Sequence, residues 1–322
     1  MKIHESWGRF PKIPQEAKEV TLPLNLIELE PERTKLPFGN GRSYGDVCLT
    51  SEGLLLSTSQ LDCFMEFDRS LGTVTCQSGV QLWEILKLCV PTGWILPVTP
   101  GTQFVTVGGA LANDVHGKNH HVAGTFGRHI VEFELARSDG QRLICSRTQN
   151  AELFHATIGG LGLTGLVTWV KIKLTTVPGN SVNVEHIKFG NLHEYFELAD
   201  QSNSKYQYTV AWVDCTAAGK QLGRGIFSRG NDCSQVLEDR KSVSWNVPIE
   251  SPIPLINSFT LRLFNQVYAN KQISKHKSEI VSYWPFFYPL DSIRNWNRVY
   301  DEFSYGRHFI SSRLSLSWGG DD

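Results

Sequence analysis

The sequence predicts an α+β protein of two domains, residues 1–178 and 179–322, divided at Pro178-Gly179. Three observations carry this expectation. A chain of 322 residues is long for one core. Short strand-like runs bounded by turn residues recur in both halves. Helical spacings are few and scattered, without the regular strand–helix alternation of a doubly wound sheet. Hydrophobic residues make up 41 % of the chain, enough for a sizeable core, and the net charge of −1 gives no general attraction to nucleic acid or to an anionic surface.

In chain order, "GLLLST" (53–58) reads as a strand. "FMEF" (64–67) and "TVTCQ" (73–77) read as a hairpin around "DRSLG". Val80, Trp83, Ile85, Leu86, Leu88 and Cys89 have helical spacing, stopped by Pro91 and Gly93. "HIVEFELARSDGQRLICS" (129–146) reads as strand, Asp139-Gly140 turn, strand. "NAELFHATIGGLGLTG" (150–165) reads as a short helix entering a glycine turn, and "LVTWVKIKLTTV" (166–177) as a long strand. In the second half, "NLHEYFELADQS" (191–202) and "SFTLRLFNQVYANK" (258–271) read as helices. "YQYTVAWVDC" (206–215) and "GRGIFSRG" (223–230) read as strands. "SWNVPIESPIPLIN" (244–257), with three prolines, reads as an irregular loop, and "YWPFFYPLDSIRNWNRVY" (283–300) is rich in aromatic residues.

The first twenty residues hold no apolar stretch of signal-peptide type, and no run of about eighteen apolar residues occurs, so a cytoplasmic placement is expected. Seven cysteines, an odd number without a C-x-x-C pair, read as buried thiols in a reducing compartment.

Two glycine-dense stretches carry the chemistry. One is "LPFGNGRSYGD" (36–46); the other is "TPGTQFVTVGGALAND" (99–114). Glycine lets backbone approach a ligand closely and lets successive N–H groups point into one concavity, which suits a phosphate or diphosphate. Ser43, Thr102 and Thr106 add hydroxyls. The second stretch has too many glycines to be expected as a core helix. Neither stretch has the strand–GxGxxG–helix context of a nicotinamide site or the GxxxxGK[ST] of a P-loop. "GGLGLTGLV" (159–167) is a natural third wall. "DVHGKNHH" then gathers Asp114, His116, Lys118, His120 and His121. Helical H-x-x-x-H spacing is absent, and no metal is expected. The alternatives are a polar surface loop and a site wall on which His116 and Lys118 face a ligand, with Gly117 between them.

At this point the sequence resembles a known family. "GRSYGD", "PGTQFVTVGGALANDVHGKNHHVAGTFGRHI", "NAELFHATIGGLGLTGLV" and "FFYPLD…WNRVY" are similar to the vanillyl-alcohol-oxidase, or PCMH, type of FAD-linked oxidases. Within it they resemble the oxidase components of decaprenylphosphoryl-ribose 2-epimerases. The resemblance implies a PCMH-type FAD-binding domain of two α+β subdomains and a substrate, or cap, domain on an antiparallel sheet. It implies that Gly39, Asn40, Gly41, Arg42, Ser43, Tyr44, Gly45 and Asp46 hold the diphosphate and adjoining parts of FAD, together with Gly101, Thr102, Val105, Thr106, Gly108 and Gly109. Asn113, His116 and Gly117 lie toward the isoalloxazine, and Gly162, Gly165 and Val167 toward the adenine side. His116 and Lys118 are the catalytic candidates, and Lys118, Trp212 and Tyr288 the substrate-binding ones. Relatives that attach flavin covalently use a histidine where Asp46 stands or a cysteine near Gln103, so non-covalent FAD is expected.

The implied reaction oxidises the 2-hydroxyl of a polyprenyl-phosphate-linked ribose in cell-wall arabinose-donor synthesis. A quinone or other acceptor takes the electrons, and a partner short-chain reductase completes the epimerisation. Peripheral work at a membrane through apolar patches of the cap is expected. Two further readings stay open: a soluble sugar or aldonolactone oxidase, and a flavin-binding remnant without turnover. Family members run longer, and the segment they carry beyond this point holds a lysine regarded as catalytic. The ending "DEFSYGRHFISSRLSLSWGGDD" does not resemble the family's continuation, so a truncated, incomplete cap is expected, with the tail past about Phe303 non-native.

Overall fold

The computed structural model describes residues 4–9, 11–22, 33–238, 245–247 and 258–294. Most of the proline-rich loop, the "WNRVY" motif and the tail past Phe303 lie outside the described residues. The chain divides into two compact units, residues 1–179 and 180–322.

The first unit runs β1 (Ala17–Glu19), β2 (Lys35–Phe38), β3 (Leu54–Ser57), β4 (Phe64–Asp68), β5 (Thr73–Gln77), α1 (Leu82–Cys89), β6 (Trp94–Ile95), α2 (Val107–Ala112), α3 (His120–Ala123), β7 (Ile130–Ala136), β8 (Arg142–Ser146), α4 (Ala151–Thr157), β9 (Leu166–Lys173) and β10 (Thr175–Thr176). Two α+β subdomains result. The smaller is built on a parallel sheet ordered β1-β3-β2, the larger on an antiparallel sheet ordered β4-β5-β9-β7-β8. β3 is buried at every position because it is the central strand. Leu54 and Leu56 join Val20, Leu61, Ala136 and Leu166 on one face. Leu55 joins Phe38 and Leu49 on the other. An unbroken apolar run is what a strand covered on both faces needs.

Side chains set the turns and helix ends. Asp68 closes the β4–β5 hairpin by accepting the N–H groups of Ser70 (2.8 Å) and Leu71 (2.9 Å). α1 begins with a capping box in which the N–H of Gln81 donates to Glu84 at 2.8 Å. It buries Leu82, Ile85, Leu86 and Cys89.

The glycine-dense second stretch does contain a helix, contrary to expectation: α2 is "VGGALA". Close packing overrides propensity. The N–H of Gly108 donates to Ser78 O at 2.8 Å, and a Cβ at Gly108 would lie 2.9 Å from the Ser78 Cβ. The cysteine expectation also needs correction. Cys76, Cys89 and Cys145 are buried, but Cys63 and Cys215 are exposed and Cys48 and Cys233 only partly covered. Cys63 follows the turn at Ser59-Gln60 and Cys215 lies in the turn after the strand that ends at Val213, and neither position reaches a core face.

The second unit runs β11 (Ser181–Phe189), α5 (Leu192–Asn203), β12 (Tyr208–Val213), β13 (Gly225–Cys233), β14 (Trp245–Asn246), α6 (Ser258–Asn270), β15 (His276–Ser282), α7 (Tyr283–Phe287) and β16 (Ile293–Arg294). Its main sheet is antiparallel, ordered β12-β13-β11-β15. α5 covers one face, with Tyr195 against Phe189 and Phe227. On the other face, Tyr208 packs on Phe286 and Phe287 of α7. The Tyr208 and Tyr283 hydroxyls both donate to Asp232 Oδ1, at 3.1 and 2.8 Å. Among the described residues no helix is long and apolar enough to cross a membrane.

Candidate cofactor-binding site

The loop of residues 39–46 leaves the C-terminal end of β2, the end at which parallel sheets bind ligands. Gly41 holds a φ of +58°, a backbone state that side chains disfavour. A Cβ there would also meet Glu5 O at 2.3 Å. Among the described residues, the backbone N–H groups of Asn40, Gly41, Ser43 and Gly45 find no protein acceptor. A run of spare N–H donors is the chemistry of an anion nest. Arg42 brings a guanidinium to the same loop, its Cζ 5.5 Å from the centroid of the Phe104 ring.

That ring belongs to the second glycine stretch, so the two stretches meet. Asn40 Nδ2 donates to Phe104 O at 2.9 Å and to Gln81 Oε1 at 3.3 Å. A Cβ at Gly39 would sit 2.4 Å from Thr106 Oγ1. Thr106 is fixed in turn as the N-cap of α2, accepting the N–H of Gly109 at 3.1 Å. The third stretch closes on the same elements. The N–H groups of Gly159 and Leu161 donate to Leu111 O (3.0 Å) and Ala112 O (2.8 Å) at the end of α2. A Cβ at Gly162 would be 3.2 Å from Pro37 Cδ of β2. Gly165 packs on Ala136 O, and Val167 is buried within β9. Three stretches far apart in sequence therefore surround one region at the ends of β2 and α2.

The loop after α2 carries the titratable groups. Asn113 is exposed and turns its Nδ2 back to Gly109 O at 2.8 Å. Asp114 accepts the Gly127 N–H at 2.8 Å, and Asn119 is buried and donates to Pro97 O at 2.7 Å. These bonds fix the loop between them. Gly117 lies against Thr99 O, which a Cβ would approach to 2.6 Å. His116 pairs with Thr125 in an isolated antiparallel bridge and is exposed, its ring edge-on to His120 at 5.7 Å. Lys118 is half-buried, and loss of hydration pushes its pKa down to about 8.

Gln81, Phe104, Pro37 and Ser78 were not expected here. Only Gln81 had a legible signal, the Gln81–Glu84 capping-box spacing. Buried Ser78 has an Oγ with no hydrogen-bond partner, under the glycine face of α2. The other candidates belong to the second unit. Trp212 lies on β12, its ring 4.6 Å from that of Tyr268. Tyr288, expected against substrate, is 3 % exposed, with its ring packed on Trp284 and Phe287.

The residues fit a dinucleotide diphosphate: spare N–H donors, a guanidinium and a cradle that Cβ atoms would fill. Comparison with known proteins agrees. Residues 17–146 match the family described as FAD binding domain. The chain is 32 % identical over 274 residues to decaprenylphosphoryl-beta-D-ribose oxidase of Mycolicibacterium smegmatis, covering 81 % of this chain and 59 % of that protein. It is 28 % identical to cytokinin dehydrogenase 9 of Oryza sativa over 56 % of this chain and 36 % of that one. It is 26 % identical to L-gulonolactone oxidase of Mus musculus, over 52 % and 38 %. The matched part of the chain thus spans less than two thirds of the length of each of these relatives, from 36 to 59 %.

Proposed function

This chain belongs to the PCMH-type family of FAD-linked oxidases, with FAD as its cofactor, and from that premise we propose that it oxidises a sugar hydroxyl to a ketone, the 2-hydroxyl of a polyprenylphosphoryl ribose. One observation carries the choice of substrate. The similarity to the ribose oxidase covers 81 % of the chain, longer than the 179 residues of the first unit, so it reaches into the second. The lactone oxidase and cytokinin dehydrogenase match over only 52 % and 56 %. The second unit is the substrate domain in this reading.

Bound FAD would supply the acceptor for the hydride that leaves the sugar carbon. The chain supplies the rest. The loop of residues 39–46, with the backbone around Thr106 to Gly109, holds the diphosphate. Asn113, His116 and Gly117 face the ring system, and Gly162, Gly165 and Val167 the adenine side. Lys118 takes the hydroxyl proton on Nζ, which leaves the oxygen to form the ketone as the hydride departs. A pKa near 8 suits that task, since an appreciable fraction is neutral close to physiological pH. His116 binds the sugar, and Trp212 lines the substrate side of the second unit. The partners this reading implies are a quinone or other electron acceptor and a reductase of the short-chain class that consumes the keto sugar.

FAD is held without a covalent bond, because Asp46 and Gln103 stand where attaching residues would be. Acid precipitation should therefore release all flavin colour into the supernatant; colour retained in the pellet refutes this. The substrate is tested by anaerobic bleaching of the flavin band with a polyprenylphosphoryl ribose. No bleaching there, with oxygen uptake on an aldonolactone, would establish the lactone-oxidase alternative.

A further inference from the structure

α6 carries a large apolar stripe on its outward side. Helices of soluble domains turn their apolar stripe to the core and their polar residues to water. The buried residue of α6 is Asn265, which donates to Asp214 Oδ1 at 2.8 Å and to Thr216 Oγ1 at 3.2 Å; half-buried Leu261, Tyr268 and Ala269 lie on the same side, Tyr268 with its ring 4.6 Å from that of Trp212. Asp214 is itself fixed by Arg224 at 3.0 Å, so a polar network anchors this side. Phe259, Leu263, Phe264 and Val267 are 56 to 74 % exposed. At about 100° per residue, Phe259, Leu263 and Val267 form one stripe with Phe264 on its flank, on the side opposite Asn265. Ile273, just past the helix, is 98 % exposed.

Charge adds a second, independent observation. Residues 258–277 contain no Asp or Glu. Arg262 and Lys275 are exposed, and Lys271 holds its ammonium 5.6 Å from the Tyr268 ring centroid. Lys277 is answered by Glu279 at 2.7 Å, which leaves three cations around the stripe. In a chain near neutral overall, α6 thus combines an outward apolar face with cations for which no carboxylate partner is found among the described residues. That combination lies in the headgroup plane of a bilayer, apolar side down, with cations against anionic lipid.

We propose that α6 and the segment through Lys275 form a docking surface for an anionic membrane, which brings the substrate domain to a lipid-linked sugar where that lipid resides. The proposal rests on the reading of the substrate as a polyprenyl phosphate, and it names the surface and its partner. The test is co-sedimentation of the full FAD-loaded chain with vesicles of phosphatidylcholine alone or with about one-third phosphatidylglycerol. Binding is expected only to the anionic vesicles and should weaken as salt rises. The triple variant Phe259→Ser, Leu263→Ser, Val267→Ser should lose roughly 10-fold or more in affinity, and Arg262→Gln with Lys271→Gln and Lys275→Gln a similar factor. Circular dichroism and retained flavin check that both variants fold. Equal binding of wild type and variants, or no binding, overturns the proposal. So does a dimer in sedimentation velocity that the serine variant dissolves without any vesicle binding, since the occupant is then a second copy. Bleaching by the substrate solubilised in detergent is read separately, so failure of the surface and failure of the substrate reading are distinguishable.

Discussion

A lysine that gives up part of its hydration is easier to deprotonate, and Lys118 is the residue at which this affects stability and, in the proposed reaction, chemistry. Its folded pKa of about 8 lies below the unfolded value of about 10.4, so between these pH values the unfolded chain binds more protons. Lys118 therefore opposes folding below pH 8, and the opposition fades as pH rises toward the unfolded pKa. Lys118→Met should be more stable than wild type near neutral pH, with the gap closing above that window in urea titrations at several pH values. The same group predicts a kcat/KM that rises with pH through about 8. Lys118→Met should lose that limb and roughly 10²- to 10⁴-fold of the rate; a variant that keeps both is evidence for another base. Gly39 makes a steric counterpart. In Gly39→Ala the methyl would lie 2.4 Å from Thr106 Oγ1, which cannot swing away without abandoning the α2 cap. FAD affinity should fall roughly 10-fold or more, read by fluorescence quenching, at a stability cost of about 1 kcal/mol. Such glycines were legible because the chemistry they serve lies in the backbone. Gln81 and Phe104 were not read as site residues, since nothing near them in sequence says that Asn40 will reach them.

Elements with their own local signature were legible, and elements defined by distant partners were not. The β4–β5 hairpin, α1 with its stop at Gly93, and β7 with β8 each declare themselves through periodicity and turn residues within some twenty positions. The parallel pairing of β1, β3 and β2 has no such signal, because it joins three segments through long connections. α2 departs from expectation for the opposite reason: its glycines argue against a helix locally, and the contact with Ser78 explains Gly108. Propensity is a weak prior where packing decides. The parallel sheet should then be the least forgiving element. Leu55→Ala removes a fully buried side chain from its central strand and should cost about 2–5 kcal/mol in urea unfolding. Gly108→Ala should cost about 1–3 kcal/mol by overpacking, despite the better helix propensity of alanine. A stabilised Gly108→Ala would mean that α2 can shift away from Ser78, and the close packing of the cradle would then not be what selects glycine.

At the scale of the molecule, the cofactor and the docking surface fall in different units, and this can be read without knowing how the units are arranged. A ligand that binds the folded state adds RT ln(1 + [L]/Kd) to the stability of whatever must unfold to release it, about 2.7 kcal/mol at a hundredfold excess over Kd. Hydrogen exchange resolves that gain segment by segment. Saturating FAD should slow exchange in residues 36–46, 101–117 and 159–167, the three stretches that converge on β2 and α2. The spare N–H groups of Asn40, Gly41 and Ser43 should respond most, since they gain an acceptor they otherwise lack among the described residues. Peptides from β11 and β13 should change little, because their amides are already paired in an antiparallel ladder. Anionic vesicles should give the complementary pattern, with protection confined to residues 258–277. If FAD instead protected the second unit as strongly as the first, the cofactor would be held by both, and the assignment of the diphosphate to the three glycine stretches alone would fail. Protection in the first two stretches but not in residues 159–167 would remove the third wall and leave the cradle open on that side.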